Sequence, residues 1–182
     1  MKQLAFALAV TGAFALAVPA HPAQASQSYE ARVTASAASR AAHADMVATF
    51  GHDHVKPGKY LWRDVPESAG DERVVISLGE QLAYIYRGNE LMAVASTSTG
   101  SKGHETPSGV FTVQLKKEMH RSRKYENAPM PFAQFITDYG VALHAGHNPG
   151  HPASHGCIRL PAKFAKKLFA VTNVGTPVLI GA

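Results

Sequence analysis

The 182-residue chain has a single cysteine, Cys157, and a single tryptophan, Trp62. One cysteine cannot form an intramolecular disulfide, which excludes a small fold held together by disulfides. Charged residues are also few, at 17% of the chain, and no long run of Lys or Arg is interleaved with aromatic residues. This scarcity argues against nucleic acid as a partner. Beyond the N-terminal segment, no stretch provides the roughly 20 apolar residues of a membrane-spanning helix.

The N-terminal segment has the three parts of a secretory signal peptide. Lys2 supplies the positive start, residues 4–18 are almost entirely apolar, and residues 23–25 read Ala-Gln-Ala, a small-x-small cleavage site. We therefore expect residues 1–25 to be removed, which gives a periplasmic mature chain that begins at Ser26 and is not stably inserted in the membrane. The alternative, an uncleaved anchor, needs about 20 apolar residues, and the run is shorter than that.

The mature chain is expected to be mildly basic. Loss of Lys2 would lower the formal net charge from +5 to +4. This balance suits an anionic partner, such as a cell-wall polymer that carries carboxylates, and simple solubility accounts for it equally well.

Residues 26–72 differ in composition from the residues that follow. They are rich first in Ala and Ser and then in Gly, Pro and charge, which predicts an extension or linker and not a second domain. A short helix is expected over residues 37–50, with Met46, Val47 and Phe50 on its apolar face.

From residue 73 onward, short apolar segments alternate with turn residues. The pattern predicts a mainly β (α+β) domain over residues 73–182, a sandwich or barrel, with one helix after the cysteine. A Gly-Asn pair at residues 88–89 marks a hairpin, and Pro161 suits the first turn of a helix that runs to about Val171. The expected strands occupy residues 74–78, 81–87, 90–97, 110–115, 134–137, 141–145 and 176–180.

The candidate chemistry centres on Cys157. A lone cysteine in an exported protein is either an intermolecular linker or a reactive thiol, and a thiol needs a base to generate the attacking thiolate. Gly156 permits an unusual backbone conformation beside it, and the N–H groups of Gly156 and Cys157 are candidates to hold an oxyanion. The N-terminus of the helix near Pro161 can lower the pKa of the thiol if it points at the sulfur.

Four histidines near Cys157 are candidate bases, because imidazole has the right intrinsic pKa for proton transfer near neutral pH. Spacing alone does not choose among them. The same donors also suit zinc, although their spacing matches no structural zinc pattern, so a metal-binding protein is a second hypothesis. The four are His144, His147, His151 and His155.

Residues 154–159, which read Ser-His-Gly-Cys-Ile-Arg, resemble the [Ser/Thr]-His-Gly-Cys signature of the L,D-transpeptidases, the YkuD-type catalytic domain. The resemblance extends over about residues 73–181. One departure is the interval from His144 to Ser154, which is shorter here than in the broad family pattern. Other segments that resemble family motifs are Ser-Thr-Gly at 98–100, Thr-Pro-Ser-Gly-Val-Phe at 106–111, and residues 128–132 and 143–146.

The resemblance implies a cysteine-dependent acyl transfer on peptidoglycan, with no cofactor or metal. In this family the cysteine attacks the diaminopimelate–D-Ala bond of a tetrapeptide stem, D-Ala leaves, and an amine or water resolves the thioester. Cys157 matches the nucleophile and His144 the general base, while His155 and Gly156 match the residues that flank and support the oxyanion donors. Stem peptides are the expected partners. L,D-carboxypeptidase activity, lipoprotein anchoring and a non-catalytic wall-binding module are the alternatives.

Substrate contacts are expected from Ser154, Tyr125, Met130 and Arg159. Arg159 matches a position associated with substrate or loop organisation. Its guanidinium suits a stem-peptide carboxylate, and it can equally tie down the loop by bonding backbone carbonyls. Tyr125 and Met130 belong to a polar segment, residues 116–131, that is long enough to act as a flap over a cleft or to be a mobile surface loop.

Overall fold

The structure of the protein, a computed structural model, describes residues 25–182. Apart from its last residue, the predicted signal peptide lies outside this part of the chain. The described residues form ten strands in two sheets, two α-helices and a short 3₁₀ helix at Glu67–Ala69. The helices are α1 (Tyr29–Phe50) and α2 (Ala162–Val171), and neither is long and apolar enough to cross a membrane. The strands are β1 (Tyr60–Trp62), β2 (Glu72–Ser77), β3 (Leu82–Arg87), β4 (Glu90–Ser96), β5 (Gly109–Thr112), β6 (Leu115–Lys117), β7 (Ala133–Phe135), β8 (Ala142–Ala145), β9 (Ile158–Leu160) and β10 (Pro177–Gly181).

The larger sheet has six strands in the order β1-β4-β3-β2-β10-β5. Strands β2, β3 and β4 form an antiparallel meander, and the predicted Gly88-Asn89 turn joins the last two. Strand β10 returns to lie parallel to β2 and antiparallel to β5. The smaller sheet has the order β6-β7-β8-β9, in which β8 and β9 are parallel. The mainly β, α+β fold predicted from the sequence is therefore confirmed.

The main core lies between the two sheets and α2. Side chains alternate between the two faces of a strand, so Val74 and Ile76 of β2 point into this core with Ile85 of β3. From the other side, Leu143 and Leu160 of the smaller sheet meet them. This packing holds β8 and β9 rigidly against the larger sheet.

Helix α1 covers the opposite face of the larger sheet. Tyr84 and Tyr86 of β3, which alternate with Ile85, are buried beneath it together with Met46. Because both faces are covered, every residue of β3 is buried. The Tyr86 hydroxyl donates a 2.6 Å hydrogen bond to Asp45 of α1, which ties the helix to the strand.

The helix begins eight residues earlier than expected and is 22 residues long. The Ser28 hydroxyl caps its N-terminus by accepting from the Ala31 N–H at 3.2 Å, and Gly51 ends it in the left-handed region at φ 68°. Val47, expected on the apolar face, is instead 44% exposed. The side that faces the sheet carries mostly small residues, Ala35, Ser39, Ala42 and Met46.

Small residues allow α1 to approach β10 closely. A Cβ placed on Gly181 would lie 2.6 Å from the Ala35 carbonyl oxygen and from the Ser39 hydroxyl. Downstream, β1 pairs with β4 and forms the edge of the larger sheet, and the Trp62 ring packs edge-on against Phe164 of α2 at 5.8 Å between centroids. Residues 26–72, expected to form an extension, thus contribute a helix and an edge strand to the folded unit.

Candidate active site

The parallel pair β8 and β9 places His144 and Cys157 on one face of the smaller sheet. In the register of this pair, His144 lies opposite Arg159 and Leu143 opposite Ile158. Leu143 and Ile158 point into the core, so His144 and Arg159 point the other way. Cys157 precedes Arg159 by two residues and shares its face, which makes the thiol and the imidazole diagonal neighbours across the strand pair.

His144 is held in one orientation. It is only 7% exposed, and its Nδ1–H donates a 2.8 Å hydrogen bond to the carbonyl of Ala145. This bond leaves Nε2 as the unprotonated nitrogen of the neutral ring. Burial lowers the pKa of His144 below 6.5, the hydrogen bond to Ala145 opposes this shift, and the charge of Arg159 adds to it. The ring is therefore a neutral base near neutral pH.

Cys157 is half-buried and lies against an apolar bed formed by Met130, Ala133 and Ala142. Its thiol is directed to the carbonyl oxygen of Gly140, 3.7 Å from the sulfur. Burial raises the pKa of the thiol above 9.0, and a backbone contact with Ala142 and the Arg159 charge offset part of the increase. The resting site is accordingly a thiol beside a neutral imidazole, and the base must accept the proton as the sulfur attacks.

The expected influence of a helix N-terminus on the thiol is not found. Strand β9 lies between Cys157 and α2, and three extended residues span about 10 Å. A helix dipole acts mainly within about one turn of the helix end.

The loop that carries the nucleophile is shaped by Ser154. This side chain is 2% exposed, and its hydroxyl donates to the Cys157 carbonyl at 2.6 Å while it accepts from the Gly156 N–H at 3.1 Å. Gly156 has a φ of 111°, which strongly favours glycine. Ser154 was expected to contact the substrate, but it is buried and its hydroxyl bonds within the loop. The Gly156 N–H was expected to hold the oxyanion, but it already donates to the Ser154 hydroxyl. Ser154 therefore organises the loop, and Gly156 supplies its conformation.

Sequence reasoning missed the residues that hold this loop from behind. The Thr106 hydroxyl donates to the Gly156 carbonyl and accepts from the Gly100 N–H, both at 2.8 Å. The backbone N–H and the hydroxyl of Ser101 both donate to the Ser154 carbonyl at 3.0 Å. The signal was available for Gly100 and Thr106, which lie in the Ser-Thr-Gly and Thr-Pro-Ser-Gly segments that resemble family motifs, and Ser101 directly follows the first of these segments.

A cleft of about 1540 Å³ opens in front of the thiol. One wall is a stack of three rings, in which His155 lies face to face with Tyr125 at 4.3 Å and edge-on to His104 at 4.8 Å. Tyr125 comes from the predicted flap, a hairpin whose sides are joined by the Met130 N–H donating to the His120 carbonyl at 2.8 Å. All eight residues predicted for the site border this cleft: Tyr125, Met130, His144, Ser154, His155, Gly156, Cys157 and Arg159.

Arg159 projects into the cleft beside His144. Among residues 25–182, no carbonyl or carboxylate accepts a hydrogen bond from its guanidinium. Of the two roles considered from the sequence, tying down the loop is thus unsupported. A charged, unpaired guanidinium on the cleft wall suits an anionic group of a ligand.

The remaining histidines are placed differently from His144. His147, His151 and His155 are exposed. Within the part of the chain that the structure describes, no group of three or more His, Cys, Asp or Glu side chains is arranged to hold a metal ion. The geometry gives the metal-binding hypothesis no support and singles out His144 as the histidine buried beside the thiol.

The fold is shared with solved L,D-transpeptidases. One from Xylanimonas cellulosilytica is 28% identical with a TM-score of 0.55, and covers 65% of this chain and 64% of its own. One from Stackebrandtia nassauensis is 23% identical, with a TM-score of 0.57 and coverage of 65% and 58%. L,D-transpeptidase 3 from Mycobacterium tuberculosis, solved with a faropenem-derived adduct, is 19% identical, with a TM-score of 0.56 and coverage of 62% and 60%.

The matched region spans less than two thirds of the length of these solved chains. No curated protein matches the sequence. The family model for the YkuD L,D-transpeptidase catalytic domain matches residues 71–180, which include both sheets except β1, all the loops around the cleft and α2. The chain therefore belongs to the L,D-transpeptidase family with a YkuD catalytic domain.

Proposed function

We propose that the protein is a cysteine-dependent L,D-transpeptidase that transfers an acyl group from a peptidoglycan tetrapeptide stem to an acceptor amine. The main support for this proposal is the register of β8 and β9, by which the imidazole of His144 lies diagonally across from the Cys157 thiol in one cleft. The imidazole is neutral and is held by its hydrogen bond to the Ala145 carbonyl. The family membership supports the reaction class, since its members are transpeptidases.

In the first half-reaction, the Cys157 sulfur attacks the carbonyl carbon between the third and fourth stem residues. Nε2 of His144 accepts the thiol proton as the carbon–sulfur bond forms. Because Nδ1–H remains bonded to the Ala145 carbonyl, the imidazolium is stabilised in place. The negative charge that develops on the carbonyl oxygen needs backbone donors, and with the Gly156 N–H engaged, the Cys157 N–H is the donor we assign.

The tetrahedral species collapses when the carbon–nitrogen bond breaks. His144 returns the proton to the departing amine, D-Ala leaves, and the acyl group stays on sulfur as a thioester. An acceptor amine then attacks the thioester carbonyl, and His144 takes a proton from that amine. The carbon–sulfur bond breaks, and His144 passes the proton to the departing sulfur, which restores the thiol. With water in place of the amine, the same steps amount to a carboxypeptidase reaction.

The cleft wall suits an anionic, peptide-like substrate. The free guanidinium of Arg159 lies near the nucleophile, where it can bind a stem carboxylate. The ring stack of His155 and Tyr125 offers a flat apolar surface on the flap side. Such a substrate lies outside the cytoplasm, in agreement with the export signal predicted for residues 1–25.

The test uses the mature chain, residues 26–182, and a disaccharide-tetrapeptide, with release of D-Ala as the readout. Cys157→Ser should abolish release, and His144→Gln should slow it by about 10²- to 10⁴-fold, the usual contribution of a general base. A chelator should have no effect. Release by folded Cys157→Ser at the wild-type rate would refute the proposal, and loss of activity with the chelator would favour the metal hypothesis.

A further inference from the structure

Gln81 occupies an unusual position in the turn between β2 and β3. Its φ is 54°, in the left-handed region that glycine adopts most readily. The side chain is nevertheless a long amide, and the residue is only 9% exposed. A strained backbone with a buried polar side chain calls for a specific partner.

That partner is Thr99, 18 residues further along the chain. The Gln81 amide nitrogen donates to the Thr99 hydroxyl at 2.8 Å, and its amide oxygen accepts from the Thr99 N–H at 3.0 Å. The same nitrogen also donates to the Leu78 carbonyl at 2.7 Å, so both amide hydrogens are used. The Gln81 carbonyl accepts from the Thr97 N–H at 2.7 Å. Backbone and side chain thus hold the segment around Thr99 at two points.

The segment around Thr99 in turn holds the nucleophile loop. The Thr99 carbonyl accepts from the N–H groups of Ala153 and Ser154, each at 3.0 Å. Ser154 then bonds the Cys157 carbonyl and the Gly156 N–H through its hydroxyl. The relay Gln81–Thr99–Ser154–Cys157 is continuous, and the exposed fractions of Thr99 and Ser154 are both 2%.

We infer that Gln81 is a positioning residue for the nucleophile, which acts through Thr99 and Ser154 on the backbone of Cys157. It touches neither the reacting atoms nor the substrate cleft. This inference rests on the proposed role of Cys157 as the nucleophile. Misplacement of the attacking sulfur or of its backbone donor slows acylation without weakening substrate binding. A turn residue that only stabilised the fold would change the folded fraction and leave the rate per folded molecule unaltered.

The variant Gln81→Gly separates these possibilities. Glycine relieves the left-handed strain and removes only the side-chain bonds. The matched control is Gly79→Ala in the same turn, where an added Cβ meets nothing within 4 Å. A second pair changes the partner: Thr99→Val removes the hydroxyl acceptor, and Thr99→Ser keeps it.

Two measurements are made on folded full-length mature protein. The acylation rate constant and the apparent affinity are determined by intact mass with faropenem as the probe, and hydrogen–deuterium exchange is followed over residues 150–160. For Gln81→Gly and Thr99→Val we expect acylation about ten- to a hundredfold slower, with an affinity within about twofold of wild type. Exchange over residues 150–160 should rise while that of α2 stays constant. Thr99→Ser and Gly79→Ala should behave like wild type.

The inference is overturned if Gln81→Gly leaves exchange over residues 150–160 unchanged, or if it acylates as fast as Gly79→Ala. Failure of the proposed function has a different signature, since wild type itself would then form no adduct. In that case the exchange data still decide whether Gln81 orders the nucleophile loop.

Discussion

Replacement of Ser154 by alanine tests how the nucleophile loop is held. The wild-type hydroxyl satisfies two backbone groups, the Cys157 carbonyl and the Gly156 N–H, and the residue is 2% exposed. An unsatisfied buried polar group costs about 1–3 kcal/mol, so two groups give about 2–4 kcal/mol once water entry from the cleft is allowed for. At about 3 °C per kcal/mol for a chain of this size, Tm should fall by about 6–12 °C.

The assay combines urea unfolding with the acylation rate of the folded protein. Acylation should slow about a hundredfold, because the sulfur and its backbone donor lose their fixed position. Ser154→Thr is the matched control, since it keeps the hydroxyl and both hydrogen bonds. A free energy of unfolding within about 0.5 kcal/mol of wild type for Ser154→Ala, together with an unchanged rate, would show that the hydroxyl does not organise the loop.

Three further predictions follow from the same geometry. Because burial lowers the pKa of His144, the acid limb of the pH profile of kcat/KM should lie below pH 6.5, and a limb above pH 6.5 would contradict this. The free energy of unfolding should also decrease as pH falls below 6.5, because the unfolded state binds the proton more readily than the folded state. Because burial raises the pKa of Cys157 above 9.0, the rate of alkylation by iodoacetamide should still be rising with pH at pH 9.0 and should level off only above it. A rate that levels off near neutral pH would point to a preformed thiolate. Gly181→Val should displace α1, because a Cβ at that position would lie 2.6 Å from the backbone of the helix, and Tm should fall by several degrees. In the control Gly175→Ala, the added Cβ meets no atom within 4 Å, so the only cost is backbone strain at φ 96°.

The sequence predicted the local features of the fold well. The Gly88-Asn89 hairpin, the strands of the larger sheet apart from β1, and the helix after Pro161 all correspond to the structure. These features depend on turn residues and on short-range apolar patterns, which are readable in one sequence. Cys157 and His144 were selected as candidate site residues from residue type and from the family resemblance.

The features that were missed depend on contacts between distant residues. Helix α1 was predicted too short because its buried side carries Ala35, Ser39 and Ala42, small residues that give no apolar periodicity. Strand β9 has three residues and pairs in parallel with β8, so neither its length nor its partner is visible locally. The bonds of Gln81 to Thr99 and of Ser154 to the nucleophile loop likewise appear only when the segments are brought together.

The most direct test of the central claim is the intact mass of the mature protein after incubation with a disaccharide-tetrapeptide, for wild type and Cys157→Ala. We expect the mass of the disaccharide-tripeptide acyl group to be added to wild type alone, with at least one D-Ala released for each adduct. An adduct on folded Cys157→Ala, or release of D-Ala by that variant at the wild-type rate, would contradict a thioester on Cys157.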